Sequence, residues 1–499
     1  MNSKLLSAAI AACLLTGSII TPWTAAANEL LYGDVNQDTS VDVSDAVLVA
    51  RFAAEDRTAQ ISGSGMICAD VNADGTVDTK DAADILKYIA KLLGHPLGTG
   101  TQHESSESTY NAVNLTEHAA TVAVESKKCD EDFLASQYNL SANLLKKAGD
   151  FSRDQNMMIS PLSIAEALAM TANGAKGITQ EEMAKVLGGD IPMNDLNAYY
   201  YDYMQSLKNT DSAMLKQANS VWIRDDEDMI DVPEAFLRIV KNNYAAQVFR
   251  APFDETTVYD VNMWVDKQTD GMIPTLLEYI DNSTIMYLIN ALTFDAKWAH
   301  PYKPLHDVSD GEFTKADGEV CSVRMMAGVE GDYLEDGKAT GFVKYYEDLN
   351  YSFAAILPNE DITLNEYISS LDGEALKNLL NSRSSHVVYT WLPKFSFDYS
   401  ISLKESLQLM GMPTAFDKGK ADFSGLNTMN PSYIDDVLHK THISVDEEGT
   451  RAAAVTAVGV GGCAVTDIKL VCLDRPFLFM ILDENTKLPI FIGTVNDPA

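Results

Sequence analysis

The 499-residue sequence predicts a large α+β domain preceded by a small all-α module with two EF-hand-like calcium loops. Three observations carry that prediction. Asp34-Val35-Asn36-Gln37-Asp38 recurs as Asp70-Val71-Asn72-Ala73-Asp74, 36 residues later, and each copy runs into a helical-looking segment. Gly94 to Ser108, rich in Gly, Ser, Thr and Glu and containing Pro96, reads as a flexible linker. Beyond about Cys129, helical stretches give way to apolar and β-branched runs such as Met286 to Leu292, Phe353 to Leu357 and Phe477 to Leu482.

The N-terminus reads as a signal peptide. Lys4 supplies the positive start, Leu5 to Ile20 are mostly apolar, and Ala25-Ala26-Ala27 offers small residues before a cut ahead of Asn28. Ile10-Ala11-Ala12-Cys13 resembles a lipoprotein cleavage box, but apolar sequence continues beyond it, so ordinary cleavage is preferred. No later segment is long and apolar enough to span a bilayer. The expected divisions are signal peptide 1–27, calcium module 28–94, linker 95–128 and α+β domain 129–499. Residues 111–128 fit either more linker or an added strand.

Composition removes several function classes. The formal net charge of −35 argues against nucleic acid and against an anionic membrane surface as partners. After signal-peptide removal Cys68, Cys129, Cys321, Cys463 and Cys472 remain, with neither CxxC nor zinc-type spacing. No GxSxG elbow, HExxH, P-loop or recognised glycosidase carboxylate pair occurs, so an enzyme is not expected.

The repeated loops have calcium-ligand spacing. Calcium takes about six to eight oxygens, and alternate residues of a tight loop turn theirs inward. Asp34, Asn36, Asp38, Ser40, Asp42 and Asp45 supply one set; Asp70, Asn72, Asp74, Thr76, Asp78 and Asp81 supply the other. Two calcium ions are expected. The duplication, Gly33-Asp34-Val35-Asn36 with Ala69-Asp70-Val71-Asn72, and the Asp at loop position 12 make the module similar to the dockerin family. That resemblance implies a cohesin partner on a cell-surface scaffold such as a cellulosome. The positions it assigns to cohesin are Val43, Ser44, Ala50 and Arg51, and Thr79, Lys80, Leu86 and Lys87. Their two faces differ, so one docking orientation is expected to be preferred. Gly75 supplies the sharp turn of the second loop, whereas Thr39 replaces it in the first, at a cost of about 1–2 kcal/mol if the left-handed turn is kept. The first site should therefore bind calcium more weakly; two calorimetric sites of equal affinity would refute this.

Near the C-terminus stands an unusual stretch, Glu447-Glu448-Gly449-Thr450-Arg451-Ala452-Ala453-Ala454-Val455-Thr456. It has no polar face for a surface helix. As a strand of period two it places Thr450, Ala452, Ala454 and Thr456 on one face and Arg451 on the other. Small residues on the inner face let such a strand slide between two others, and Gly459, Gly461 and Gly462 keep the following stretch mobile.

That stretch resembles the loop hinge of serpins, and so does most of the chain from about residue 130. Asn156 with Ser160-Pro161-Leu162-Ser163, and then Gly174-Ala175-Lys176-Gly177, match an early helix motif. Ala218-Asn219-Ser220-Val221-Trp222 resembles a sheet strand, and Asn262, Trp264, Thr269 and Gly271 match another segment. Leu288-Ile289-Asn290-Ala291 with Phe294, Lys297 and Trp298 looks like a central-sheet strand. Leu392-Pro393-Lys394-Phe395, Ala421-Asp422-Phe423-Ser424, His439-Lys440 and Asp474-Arg475-Pro476-Phe477-Leu478 complete the series, which covers about 370 residues in family order.

The resemblance implies a serpin fold: a large central β-sheet, additional sheets, helices and an exposed reactive-centre loop. It implies a secreted, monomeric suicide inhibitor that traps a serine protease as an acyl-enzyme while its cut loop inserts as a strand. The alternative is a non-inhibitory serpin displayed on the scaffold. Thr450 is the residue expected to enter the sheet first. Ser160, Ser163, Asn290 and His439 resemble the polar cluster beneath the parting strands, and Trp298 lies where the sheet first opens. Counting 14 residues from Gly449 puts the cut at Cys463-Ala464; counting back from Pro476 gives Val465-Thr466. Either bond suits a subtilisin-, elastase- or chymotrypsin-like protease rather than a trypsin-like one.

Overall fold

The computed structural model describes residues 32–36, 40–54, 59, 61, 63–71, 77–89, 110–152, 155–225, 230–281, 284–429, 432–450 and 467–498. The chain divides into two units, Met1–Thr109 and Tyr110–Ala499.

In the first unit, helices α1 (Val43–Ala53), α2 (Gly63–Ala69) and α3 (Thr79–Ile89) enclose a small core of Val35, Ala46, Val49, Ala69, Val71, Ala82 and Ile85. Each loop copy runs into a helix, and Asp42 caps α1 by accepting from the Ser44 amide at 2.7 Å. Asp78 accepts from the Lys80 amide in the same way at 2.7 Å. Helix α2 escaped the reading; GSGMICA carries neither a cap nor an apolar period.

The second unit begins with β1 (Val113–Asn114), α4 (Glu131–Phe151), β2 (Met157–Ile159), α5 (Pro161–Ala172), α6 (Gly177–Gly188) and α7 (Met193–Ser206). Next come β3 (Ala213–Arg224), α8 (Glu234–Tyr244), β4 (Gln247–Ala251), α9 (Glu255–Gln268) and β5 (Met286–Lys297). A run of strands follows: β6 (Val308–Thr314), β7 (Val320–Glu335), β8 (Ala339–Tyr345) and β9 (Tyr351–Pro358). Then stand α10 (Leu364–Ser370), α11 (Gly373–Asn381), β10 (Ser384–Pro393), β11 (Phe395–Ser402) and α12 (Lys404–Met410). The chain closes with β12 (Asp436–Val445), β13 (Gly449–Thr450), β14 (Ile468–Cys472), β15 (Phe477–Asp483) and β16 (Pro489–Val495).

Two sheets organise this unit. A seven-stranded sheet runs β1-β4-β3-β5-β13-β12-β11, with β5 and β12 also paired directly. A nine-stranded sheet runs β14-β10-β7-β8-β9-β15-β16-β2, with β6 on β7. The three apolar runs singled out above fall inside β5, β9 and β15. The first half of β5 is largely apolar because both its faces are covered. Met286, Leu288, Leu292 and Phe294 face the main core, while Tyr287, Ile289 and Ala291 pack in a second cluster with Val261, Trp264 and Val265 of α9. Helix α5 lies beneath the sheet, started by Ser160 as N-cap and Pro161 in its first turn, and every one of its residues is buried.

Of the two readings of residues 111–128, more linker or an added strand, the structure shows the strand. These residues run along the second unit, where Val113 and Asn114 pair with Arg250 and Phe249 as an edge strand. The Ala112 amide donates to the buried Asp260 carboxylate at 2.8 Å, and Asn242 and Lys241 of α8 hold the backbone around Ala119 and Ala120. The partners of Ala112, Val113, Asn114, Ala119 and Ala120 named here all lie more than a hundred residues away in the chain.

Candidate functional site

The gap between β5 and β12 has two unlike halves. In one, the strands pair directly and in parallel, from Asp436↔Tyr287 to Lys440↔Ala291. In the other, β13 lies between them, with Thr450 opposite Val445 of β12 and Ala296 of β5. A two-residue strand here requires a glycine: a Cβ on Gly449 would sit 2.1 Å from the Ala296 carbonyl oxygen.

The turn that feeds β13 is fixed at every residue. Asp446 caps it, its carboxylate accepting from the Glu448 amide at 2.9 Å and the Gly449 amide at 3.2 Å. The Trp298 indole donates to the Asp446 carbonyl at 2.9 Å. The Trp298 amide donates to the Glu448 carbonyl at 2.9 Å, and the Tyr302 amide to the Glu447 carbonyl at 2.8 Å. Lys394 pairs with the Glu447 carboxylate at 2.6 Å. Burial opposes that charge most strongly, but the Lys394 hydrogen bond, a backbone hydrogen bond and the Lys394 and Arg324 charges together hold the Glu447 carboxyl below its ordinary value. Thr450 is 2% exposed, and its hydroxyl shares a 2.7 Å hydrogen bond with the Tyr346 phenol.

Of the predicted hinge, Glu447, Glu448, Gly449 and Thr450 are placed; Arg451, Ala452, Ala453, Ala454, Val455 and Thr456 lie outside the described residues. So do both candidate bonds, Cys463-Ala464 and Val465-Thr466.

The other predicted cluster sits under the directly paired half. His439, Asn290 and Asn219 occupy one register across β12, β5 and β3 and face α5. The Ser160 amide donates to His439 Nε2 at 3.0 Å, and the Ser163 amide to Ser160 Oγ at 3.2 Å. Ser163 Oγ donates to Asn290 Oδ1, and Asn290 Nδ2 donates to the Ser163 carbonyl at 2.7 Å and to Asn219. Trp298 does not join this cluster; it stands at the end of β5, beneath the hinge turn. His439 and His442 lie on opposite faces of β12, and His442 meets Asp398 at 2.8 Å.

Sequence reasoning missed Glu166 as the end of the polar chain, and gave Asn219 no role in it. Glu166 accepts from Asn219 Nδ2 at 2.9 Å and is fully buried. Its signal was available: it is the one acid within the otherwise apolar and small-residue helix α5. Burial pushes its carboxyl up to about 8, against the pull of the Asn219 hydrogen bond. Burial likewise lowers the His439 imidazole to about 3. Both ends of the chain are thus neutral near pH 7, and among the described residues Glu166 Oε1 and His439 Nδ1 have no hydrogen-bond partner.

In the first unit, Asp45 and Asp81 are buried at equivalent points of the two loops. Asp45 accepts from the amides of Val35 at 2.8 Å, Asn36 at 3.0 Å and Asp42 at 3.0 Å. Asp81 accepts from Val71 at 3.0 Å and Asp78 at 2.9 Å. Each carboxylate therefore ties the two ends of its loop together and turns oxygen toward the loop interior. Asp34, Asn36, Ser40, Asp42, Asp70 and Asp78 are also described; Asp38, Asn72, Asp74 and Thr76 lie outside the described residues. This all-oxygen donor set fits a hard cation such as calcium. Of the residues assigned to cohesin, Val43, Ser44, Arg51, Thr79, Lys80, Leu86 and Lys87 are exposed, and Ala50 is half-buried.

Comparison with known proteins gives two matches along the chain. Residues 135–498 match the family described as Serpin (serine protease inhibitor). Residues 32–90 match the Dockerin type I domain, a family that binds calcium in general. The leukocyte elastase inhibitor of Xenopus laevis is 32% identical over 370 residues, covering 71% of this chain and 97% of that protein. The thermophilic serpin tengpin in its native state is similar with a TM-score of 0.74 and 43% identity, over 77% of this chain and 99% of tengpin. Its latent state gives 0.67 at the same 43% identity, over 75% and 100%.

Proposed function

The chain belongs to the serpin family and carries a dockerin type I domain, and from that premise we propose that it is a secreted suicide inhibitor of serine proteases. The dockerin docks it, through two calcium ions, to a cohesin-bearing scaffold outside the cell. One observation carries the reading: an uncharged Thr450 already seated between β5 and β12, at the head of a gap that is closed by direct pairing farther along.

The steps follow from that geometry. A protease serine adds to the Cys463 carbonyl carbon, the bond to Ala464 breaks, and the Ala464 nitrogen leaves with a proton from the protease's own acid. The acyl ester now joins the protease to the loop. With its C-terminal end released, the loop extends from Thr450 down the gap, exchanging β5–β12 pairing for pairing with itself on both edges. Each residue that enters gains two ladders where one existed, which drives the protease away before water cleaves the ester. The similarity to a leukocyte elastase inhibitor and the Gly461-Gly462-Cys463 sequence support subtilisin-, elastase- or chymotrypsin-like targets. Asp34, Asn36, Asp38, Ser40, Asp42 and Asp45, with their counterparts Asp70, Asn72, Asp74, Thr76, Asp78 and Asp81, would hold the calcium that sets the docking face.

Mixing the purified chain with subtilisin, elastase, chymotrypsin, trypsin and papain tests the reading on denaturing gels. A resistant complex with a serine protease, cut after Cys463 or Val465, is expected. Loop cleavage by all five with full protease activity retained would favour a non-inhibitory, displayed serpin.

A further inference from the structure

A buried charge lies directly beneath the hinge, and no step above uses it. Lys344 of β8 is 3% exposed and pairs with Glu330 of β7, 8% exposed, at 2.9 Å. Its ammonium also donates to the His300 carbonyl at 3.0 Å. It stands over two aromatic faces, 4.2 Å from the Tyr302 ring centroid and 5.4 Å from that of Trp298. Those two residues donate every hydrogen bond that holds the carbonyls of Asp446, Glu447 and Glu448. Trp298 further stacks on Tyr346, ring centroids 4.6 Å apart, and Tyr346 holds the Thr450 hydroxyl. One ammonium thus touches both residues that position the turn, and the second of them supports the residue that holds Thr450.

A long charged side chain is rarely buried without a purpose its partner shares. Here the pair fills the space between β7, β8 and the segment after β5, where an apolar side chain would pack but would not orient two ring faces. We propose that Lys344, held by Glu330, is a positioning residue for loop insertion. It fixes Trp298 and Tyr302, these fix the hinge turn with Thr450 seated, and a seated turn sets how fast the cut loop enters the sheet. The inference rests on the inhibitor reading, and its test separates the two.

The variants are K344M/E330L, which removes both charges and so leaves neither stranded, and K344R, which keeps the charge. Hydrogen exchange of the Trp298 indole and the Tyr302 amide, measured without protease, is expected to quicken about tenfold in K344M/E330L and to stay near wild type in K344R. Wild-type protection of the Phe479 and Ile492 amides serves as the control for an intact body. The rate of the tryptophan fluorescence change after the loop is nicked reads insertion, and is expected to fall about tenfold in K344M/E330L alone. Unchanged exchange, an unchanged insertion rate, or equal loss in K344R would each overturn the proposal. If the wild-type loop inserts after nicking but traps no protease, the inhibitor reading fails, while the same rate ratio still decides the role of Lys344.

Discussion

The two halves of the β5–β12 gap are held by different chemistry. At the hinge, backbone amides and one indole grip backbone carbonyls, and the one ion pair on the turn among the described residues, Lys394 with Glu447, is partly open to water. Farther along, buried side chains do the work, from Glu166 through Asn219, Asn290, Ser163 and Ser160 to His439. Backbone grips survive the arrival of a new strand, because the turn they hold is the start of that strand. Side-chain grips beneath paired strands must yield when those strands part. Under the proposed mechanism, the hinge half would guide insertion and the paired half would resist it.

The sharpest way to break this comparison is Thr450→Arg. A buried unpaired guanidinium costs about 3 kcal/mol or more, so trapping should fall at least about a hundredfold, with the variant cleaved as a substrate on gels. The uncut variant should unfold at nearly the wild-type denaturant midpoint, because a two-residue strand can leave the gap. A large drop in that midpoint would mean that the hinge half also carries native stability.

Asn290→Ala tests the other half. It strands the Ser163 carbonyl and Asn219 Oδ1 and should cost about 2–3 kcal/mol, read as a lower guanidinium midpoint. An unchanged midpoint would show that the paired half is held by its ladder alone.

The smallest expected effect concerns pH. Glu166 keeps its proton to about 8 when folded and to 4.5 when unfolded, so its burial costs stability progressively as pH rises between those values. His439 resists protonation down to about 3, against an ordinary 6.5, so stability falls as pH drops through that window. The two slopes cancel between 4.5 and 6.5 and leave a plateau. From 6.5 to 8 only Glu166 acts, and wild type should lose about 2 kcal/mol that Glu166→Gln does not lose. Parallel denaturation midpoints for the two proteins over that range would clear Glu166 of the role.

Much of this was legible from residue type and spacing. Small residues at period two placed Thr450 on the inner face of the expected strand, and Thr450 is found seated inward. Largely apolar runs located β5, β9 and β15, because a strand covered on both faces has no polar alternation to offer. Ser160, Ser163, Asn290 and His439 were found through motif resemblance, not through chemistry. What stayed hidden is long-range. Asn219 meets Glu166 across 53 residues, Asp260 receives the Ala112 amide across 148, and nothing beside either residue in the chain announces its partner. Lys344 and Glu330 lie 14 residues apart on neighbouring strands, yet each reads locally as an ordinary surface charge. Trp298, expected apart from that cluster, stands just past the end of β5 beneath the turn that feeds β13.

The edge strand β1 has a mechanical consequence. A protein tethered through its N-terminal side feels drag where the tether enters the body, at Tyr110. That load meets the Asp260 clasp first, then the two residues of β1, and must cross β4 and β3 before it reaches β5. The outermost strand acts as a fuse: a pull can peel Val113 and Asn114 from Arg250 and Phe249 while the pairing of β5 with β12 stays intact.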